Sequence, residues 1–165
     1  MPSKKLPAKD TEPDAPEAAI DLQRFFPYRL AVLAESVSKT IAQLYADRFD
    51  LSRPAWRVLA ALAIRRDMTA KDVAEYSTLD KMSVSRAVAE LEAGGYLVPR
   101  QDQGDRRNRQ LQLTPLGRAL YQKIVPLVRA REAYLLEVLT PEERAALNSI
   151  MDKLLERARD LQSRG

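Results

Sequence analysis

Apolar residues recur at Phe26, Leu30, Leu33, Val37, Ile41 and Leu44, steps of three and four that predict one stripe of a long helix beginning near Pro27. Ser52 is placed to cap a second helix, with Pro54 in its first turn and Val58, Leu59, Leu62 and Ala63 as its buried face. The pattern then shortens. Thr69 followed by Asp72 is a capping-box-like start for a helix of barely two turns through Val73, Ala74 and Tyr76, broken at Ser77 and Thr78. Asp80 can cap the next helix, in which Val84, Ala87, Val88 and Leu91 share one face and Met82, Ser85, Arg86 and Ala89 the other. Gly94-Gly95 stops it. Tyr96 to Arg100 and Arg109 to Leu113 predict a two-stranded hairpin: Leu111 and Leu113 alternate with Gln110 and Gln112, and Pro99 places the first strand at a sheet edge. Thr114-Pro115 starts a helix to about Leu139, with Leu116, Leu120, Ile124, Leu127, Leu135 and Val138 apolar and a kink expected at Pro126. Thr140-Pro141-Glu142-Glu143 is a capping box with proline in the first turn, and Leu147, Ile150, Leu154, Ala158 and Leu161 form the last stripe.

Two short helices, a tight turn and a hairpin predict a winged helix-turn-helix within a fold that is mainly α with a small β-wing. The outward face of the helix after Asp80 is unusually small, which suits a major groove about 12 Å wide. Residues 53–114 are read as the winged helix-turn-helix part of one domain, 20–165. Segments 20–50 and 115–165 carry stripes of their own, to be buried in an intramolecular bundle or, as favoured here because symmetric homodimers are the commonest assembly, against a second copy. Residues 1–19 hold four of the ten prolines with almost no large apolar side chain, and are read as a flexible tail. A DNA-contacting arm through Lys4 and Lys5 is the other reading, opposed by Asp10, Glu12, Asp14 and Glu17.

The 165 residues suit one domain, and 45% hydrophobic with 30% charged residues is ordinary for a globular chain. A net charge of +4 favours an anionic partner without requiring one. There is no Cys and no His, which excludes thiol chemistry and Cys/His zinc sites. Neither an apolar run near 18 residues nor a charged-then-apolar leader occurs, so a cytoplasmic chain with no membrane span is expected. No phosphate-binding glycine loop, nucleophile elbow or metal-ligand cluster points to an enzyme, and no cofactor or metal is expected.

The hairpin tip concentrates charge. Arg100, Arg106, Arg107 and Arg109 crowd ten residues, with Asp102 and Asp105 around the turn-forming Gly104. A solvated charged turn is the plain alternative to a nucleic-acid contact. The order Leu79-Asp80-Lys81, Ser83-Val84-Ser85-Arg86, Leu91-Glu92-Ala93-Gly94-Gly95-Tyr96-Leu97, Arg100, Asp105-Arg106-Arg107 and Leu113-Thr114-Pro115-Leu116-Gly117 resembles the MarR family of winged-helix bacterial transcription regulators, over roughly residues 22–160. The resemblance implies a homodimer on a palindromic operator in double-stranded DNA, released by a small phenolic or aromatic effector. It also implies that Arg107 is a minor-groove arginine and Asp105 the acid that orients it.

Other roles follow from side-chain chemistry. Arg86 suits a bidentate contact to guanine, Lys81 and Ser83 suit phosphates near the helix start, Ser85 shares the outward face, and Arg106 and Arg109 suit backbone phosphates. An effector is expected at the junction of the first, second and fifth helices, beside Phe26, Tyr28, Arg29, Trp56 and Arg57. Core packing remains open for each of these, Trp56 above all. The resulting expectation is a ligand-responsive DNA-binding repressor. A winged-helix protein-protein adaptor is the alternative.

Overall fold

A computed structural model describes residues 20–100 and 110–164. Nine elements follow in order: α1 Phe26–Phe49, α2 Arg53–Ile64, β1 Met68–Thr69, α3 Ala70–Ser77, α4 Lys81–Ala93, β2 Leu97–Arg100, β3 Gln110–Leu113, α5 Pro115–Leu136 and α6 Pro141–Arg164. Of the described residues, those up to Ser38 belong to one compact unit and those from Lys39 onward to another. In the first, Phe25, Phe26, Leu30, Val32 and Leu33 are exposed.

Helix starts are set locally. Ser52, Thr69, Asp80 and Thr114 each accept a hydrogen bond from the backbone N–H three residues on, as their N-cap positions require. Thr140 does the same for α6: Glu143 N donates to Thr140 Oγ1 at 3.2 Å, and Thr140 N donates to Glu143 Oε2 at 2.9 Å. Both halves of the box are made.

In the second unit, α2, α3 and α4 pack around a core of Val58, Leu59, Leu62, Val73, Val84, Ala87 and Leu91, closed by Leu97, Leu111 and Leu113 from the sheet and by Leu120 and Ile124 from α5. The sheet corrects the two-stranded expectation. Its order is β1-β3-β2, all antiparallel, with Met68 opposite Leu111 and Leu97 opposite Leu113. A strand of two residues has no period to read, and only its partner 43 positions on reveals it. β2, with Pro99, lies at an edge as expected.

Helix α5 continues through Pro126 and ends at Leu136, three residues short of the expected Leu139. A run of apolar side chains past the end carries no stop signal, and Glu137 N turns back to the Tyr134 carbonyl instead of to an i−4 carbonyl. The α6 helix, 24 residues long, has no buried residue.

Candidate nucleic-acid interface

Helix α4 presents the face the sequence assigns to it. Val84, Ala87 and Leu91 are buried and Val88 is half-buried, while Met82, Ser85, Arg86 and Ala89 are exposed on the opposite side. Lys81 and Arg86 have no hydrogen-bond or ion-pair partner among the described residues. Both cations are available to a ligand.

The position of α4 is fixed at both ends. At its start, Asp80 Oδ1 accepts from Ser83 N at 2.9 Å and Oδ2 from Ser83 Oγ at 2.6 Å. The Ser83 side-chain and backbone hydrogen bonds hold the Asp80 carboxyl below its ordinary pKa. This arrangement commits the Ser83 hydroxyl proton to Asp80, so a phosphate contact by Ser83 would have to break that bond. Near its other end, Glu90 accepts from Ser52 N at 2.8 Å and from Ser52 Oγ at 2.6 Å, 38 residues away. One carboxylate thus ties α4 to the positive N-terminus of α2.

The turn between α3 and α4 is built from a non-glycine residue in the left-handed region. Thr78 has φ 55°, and Leu79 N donates to the Ala74 carbonyl at 3.2 Å. Arg57 of α2 reaches this turn, with Nη1 3.5 Å from the Ser77 carbonyl. Arg65 stacks over the Tyr76 ring at 4.9 Å. Sequence reading missed the first role of Arg57, because only tertiary packing brings positions 57 and 77 together.

The wing is anchored at its root. Thr114 Oγ1 donates to the Gly95 carbonyl at 2.8 Å and accepts from Gly117 N at 3.0 Å, while Thr114 N donates to the Tyr96 carbonyl at 3.0 Å. A Cβ on Gly117 would lie well inside van der Waals contact of that Tyr96 carbonyl, so glycine is what permits the approach. Arg100 is exposed and lies 3.8 Å from Asp67. Asp105, Arg106, Arg107 and Arg109 lie outside the described residues.

Of the expected effector residues, Phe26, Tyr28 and Arg29 are exposed and fall in the first compact unit, Trp56 and Arg57 in the second. Trp56 stacks on Tyr45 at 5.7 Å and on Tyr121 at 5.9 Å, joining α1, α2 and α5. Burial raises the Tyr45 hydroxyl pKa, against the nearby Arg53 and Arg57 charges. Elsewhere on α1 and α5, Leu44, Arg48, Leu127, Ala130, Arg131 and Tyr134 line an apolar groove of about 350 Å³ that includes two arginines. Spacing along either helix alone does not show it. No helix among the described residues is long and apolar enough to cross a membrane, and no group of three or more Asp or Glu side chains is placed to hold a metal.

A MarR family model matches residues 49–108. An HTH-type transcriptional regulator of Bacillus cereus is 28% identical over 118 residues, 71% of this chain and 78% of that one. A MarR/EmrR family transcriptional regulator from Acinetobacter sp. ADP1 superposes with a TM-score of 0.78 at 26% identity, covering 86% of this chain and 99% of that one. BpsR of Bordetella bronchiseptica, whose DNA binding is regulated by 6-hydroxynicotinic acid, superposes with a TM-score of 0.74 at 25% identity, covering 82% and 96%.

Proposed function

We propose that the chain, which is similar to MarR family transcription regulators, works as a homodimeric, ligand-responsive repressor on a palindromic operator. The observation that carries the DNA-binding part is α4 itself: a narrow exposed face with Arg86 and Lys81 unpartnered, held rigidly by the Asp80 cap and the Ser52–Glu90 clamp. Rigid placement lets side chains read base edges at little further entropic cost. In this reading Arg86 reads a guanine, Ser85 flanks it, Lys81 holds phosphate, Arg107 oriented by Asp105 enters the minor groove, Arg106 and Arg109 meet the phosphate backbone, and Arg100 flanks the wing tip.

The dimer is supported by the exposed apolar residues of the chain ends. Leu147, Ile150, Leu154 and Leu161 of α6 and Tyr134 and Val138 beside the end of α5 are all exposed. Patches of this kind mark an interface. Two-fold symmetry would then set the half-sites about 10 base pairs, or 34 Å, apart.

An aromatic acid is the effector class we favour. The apolar groove with Arg48 and Arg131 suits one, and BpsR responds to 6-hydroxynicotinic acid. Leu44 in its wall adjoins Tyr45, so occupancy would reach Trp56 through the stack. A hundredfold weakening of DNA binding needs about 2.7 kcal/mol of differential affinity between the two states. Titration with aromatic carboxylates, phenols and their thioesters should change Trp56 emission and release DNA. Unchanged emission and binding across the panel would remove the effector.

Selection of bound duplexes from a random pool tests the main proposal. A palindromic site is expected, with Arg86→Ala relaxing one position per half-site at a cost of about 1–3 kcal/mol. Lys81→Ala should weaken all sequences alike. Recovery of no sequence, together with no salt-dependent binding to random duplex, would leave the protein adaptor as the better reading.

A further inference from the structure

A second charged site lies at the root of the wing, on residues that the α4 interface does not use. Arg66 and Asp67 from the turn after α2, Arg100 from β2, Gln112 from β3 and Arg118 from the first turns of α5 surround a cavity of about 150 Å³ over Leu62, Leu111 and Leu113. The pairing of β1 with β3 brings them together, because Met68 opposite Leu111 sets Asp67 beside Gln112. Gln112 Nε2 donates to Asp67 Oδ1, and Arg100 Nη1 stands 3.8 Å from the same oxygen.

The charges do not balance. Among the described residues that line it there are three arginines and one carboxylate, an excess of two positive charges, and that carboxylate is already engaged by Gln112 and Arg100. The Arg66 and Arg118 side chains have no hydrogen-bond or ion-pair partner among the described residues. Like charges gathered around one concavity repel, and a bound anion would relieve that repulsion. Guanidinium forks match the geometry of a phosphate oxygen pair, and the leucine floor keeps water from one side of it.

We propose that this cavity is an oxyanion site for a phosphate group, with Arg66 and Arg118 as the two arms of the clamp and Arg100 turning from Asp67 to complete it. Its occupant is either a phosphodiester of the duplex flanking the wing or free inorganic phosphate. The first source rests on the DNA-binding reading; the second does not.

The full chain, its Arg66→Ala/Arg118→Ala variant and its Arg66→Lys/Arg118→Lys variant separate the outcomes. Calorimetry with inorganic phosphate at low ionic strength tests the free anion, and random-duplex affinity across a salt series tests the backbone. All three melting curves should coincide, since both arginines are exposed. A phosphodiester occupant should lower the salt slope of the alanine variant by about 0.9 for each phosphate no longer neutralised, with the lysine variant keeping the slope but binding several-fold more weakly. A free-phosphate occupant should give binding heat in the parent chain that the alanine variant loses, at an unchanged slope. No phosphate heat together with an unchanged slope would overturn the site. Full restoration by lysine in both assays would also overturn it, since a diffuse positive field needs no clamp. If the parent chain bound no duplex at all, the DNA-binding reading would fail and the phosphate calorimetry would decide the site alone.

Discussion

The lobe formed by α2 to β3 and the terminal helix α6 use the same leucine-rich vocabulary to opposite ends. In the lobe, Val58, Leu59, Val73, Val84 and Leu91 are wholly buried, and every helix start is capped. In α6, Leu147, Ile150, Leu154 and Leu161 are exposed, with Leu161 at 65%. Both segments carry helical stripes, so periodicity alone does not separate a satisfied face from an unsatisfied one. The difference separates a lobe whose apolar faces are already covered from a helix whose apolar face the proposed dimer would cover.

Four experiments bear on this contrast. The largest effect should come from Leu91→Ala, which empties a fully buried site and should cost about 2–5 kcal/mol at any protein concentration, read from denaturant unfolding. Leu147→Ser with Leu154→Ser and Leu161→Ser should instead convert a sedimenting dimer to monomer and weaken operator binding about 100-fold, by losing the second half-site. Should those serines leave both the sedimentation and the affinity unchanged, α6 is not the interface. Gly117→Ala sets the gain of an alanine in a helix against the clash with the Tyr96 carbonyl; the clash should win by about 1–3 kcal/mol, with DNA affinity falling further because α5 pulls away from the wing. The smallest effect belongs to Asp80. Its pKa is lowered in the folded state by the Ser83 hydrogen bonds, so its contribution is present above the ordinary Asp value of 3.8 and lost as pH falls through the depressed one. Protection of the Ser83 amide, measured against its intrinsic exchange rate at each pH, should therefore fall in acid, and Asp80→Asn should flatten that dependence.

Much of this architecture was legible because it is local. The caps at Ser52, Thr69, Asp80, Thr114 and Thr140 each lie within three residues of their partners, and the buried face of α4 follows from helical geometry. Features made by distant pairs were not legible. Strand β1, the Ser52–Glu90 clamp, the Arg57 contact to the α3–α4 turn and the arginines at the wing root all join segments that only the fold brings together. The exposure of Arg86 was legible because a long donor among small neighbours stands out on the face opposite Val84 and Leu91, whereas Arg66 and Arg118 look like ordinary surface charges until their cavity is seen.

The edge of the small sheet bears on the fate of the protein in a crowded cell. Pro99 sits opposite Leu111 in β2, the outer strand, and offers no backbone N–H on the side away from β3. The other edge, β1, is only two residues long. An incoming strand from another chain therefore finds a gap in the hydrogen-bond ladder on one side and too short a template on the other. The small sheet is thereby protected from templating aggregation through its edges.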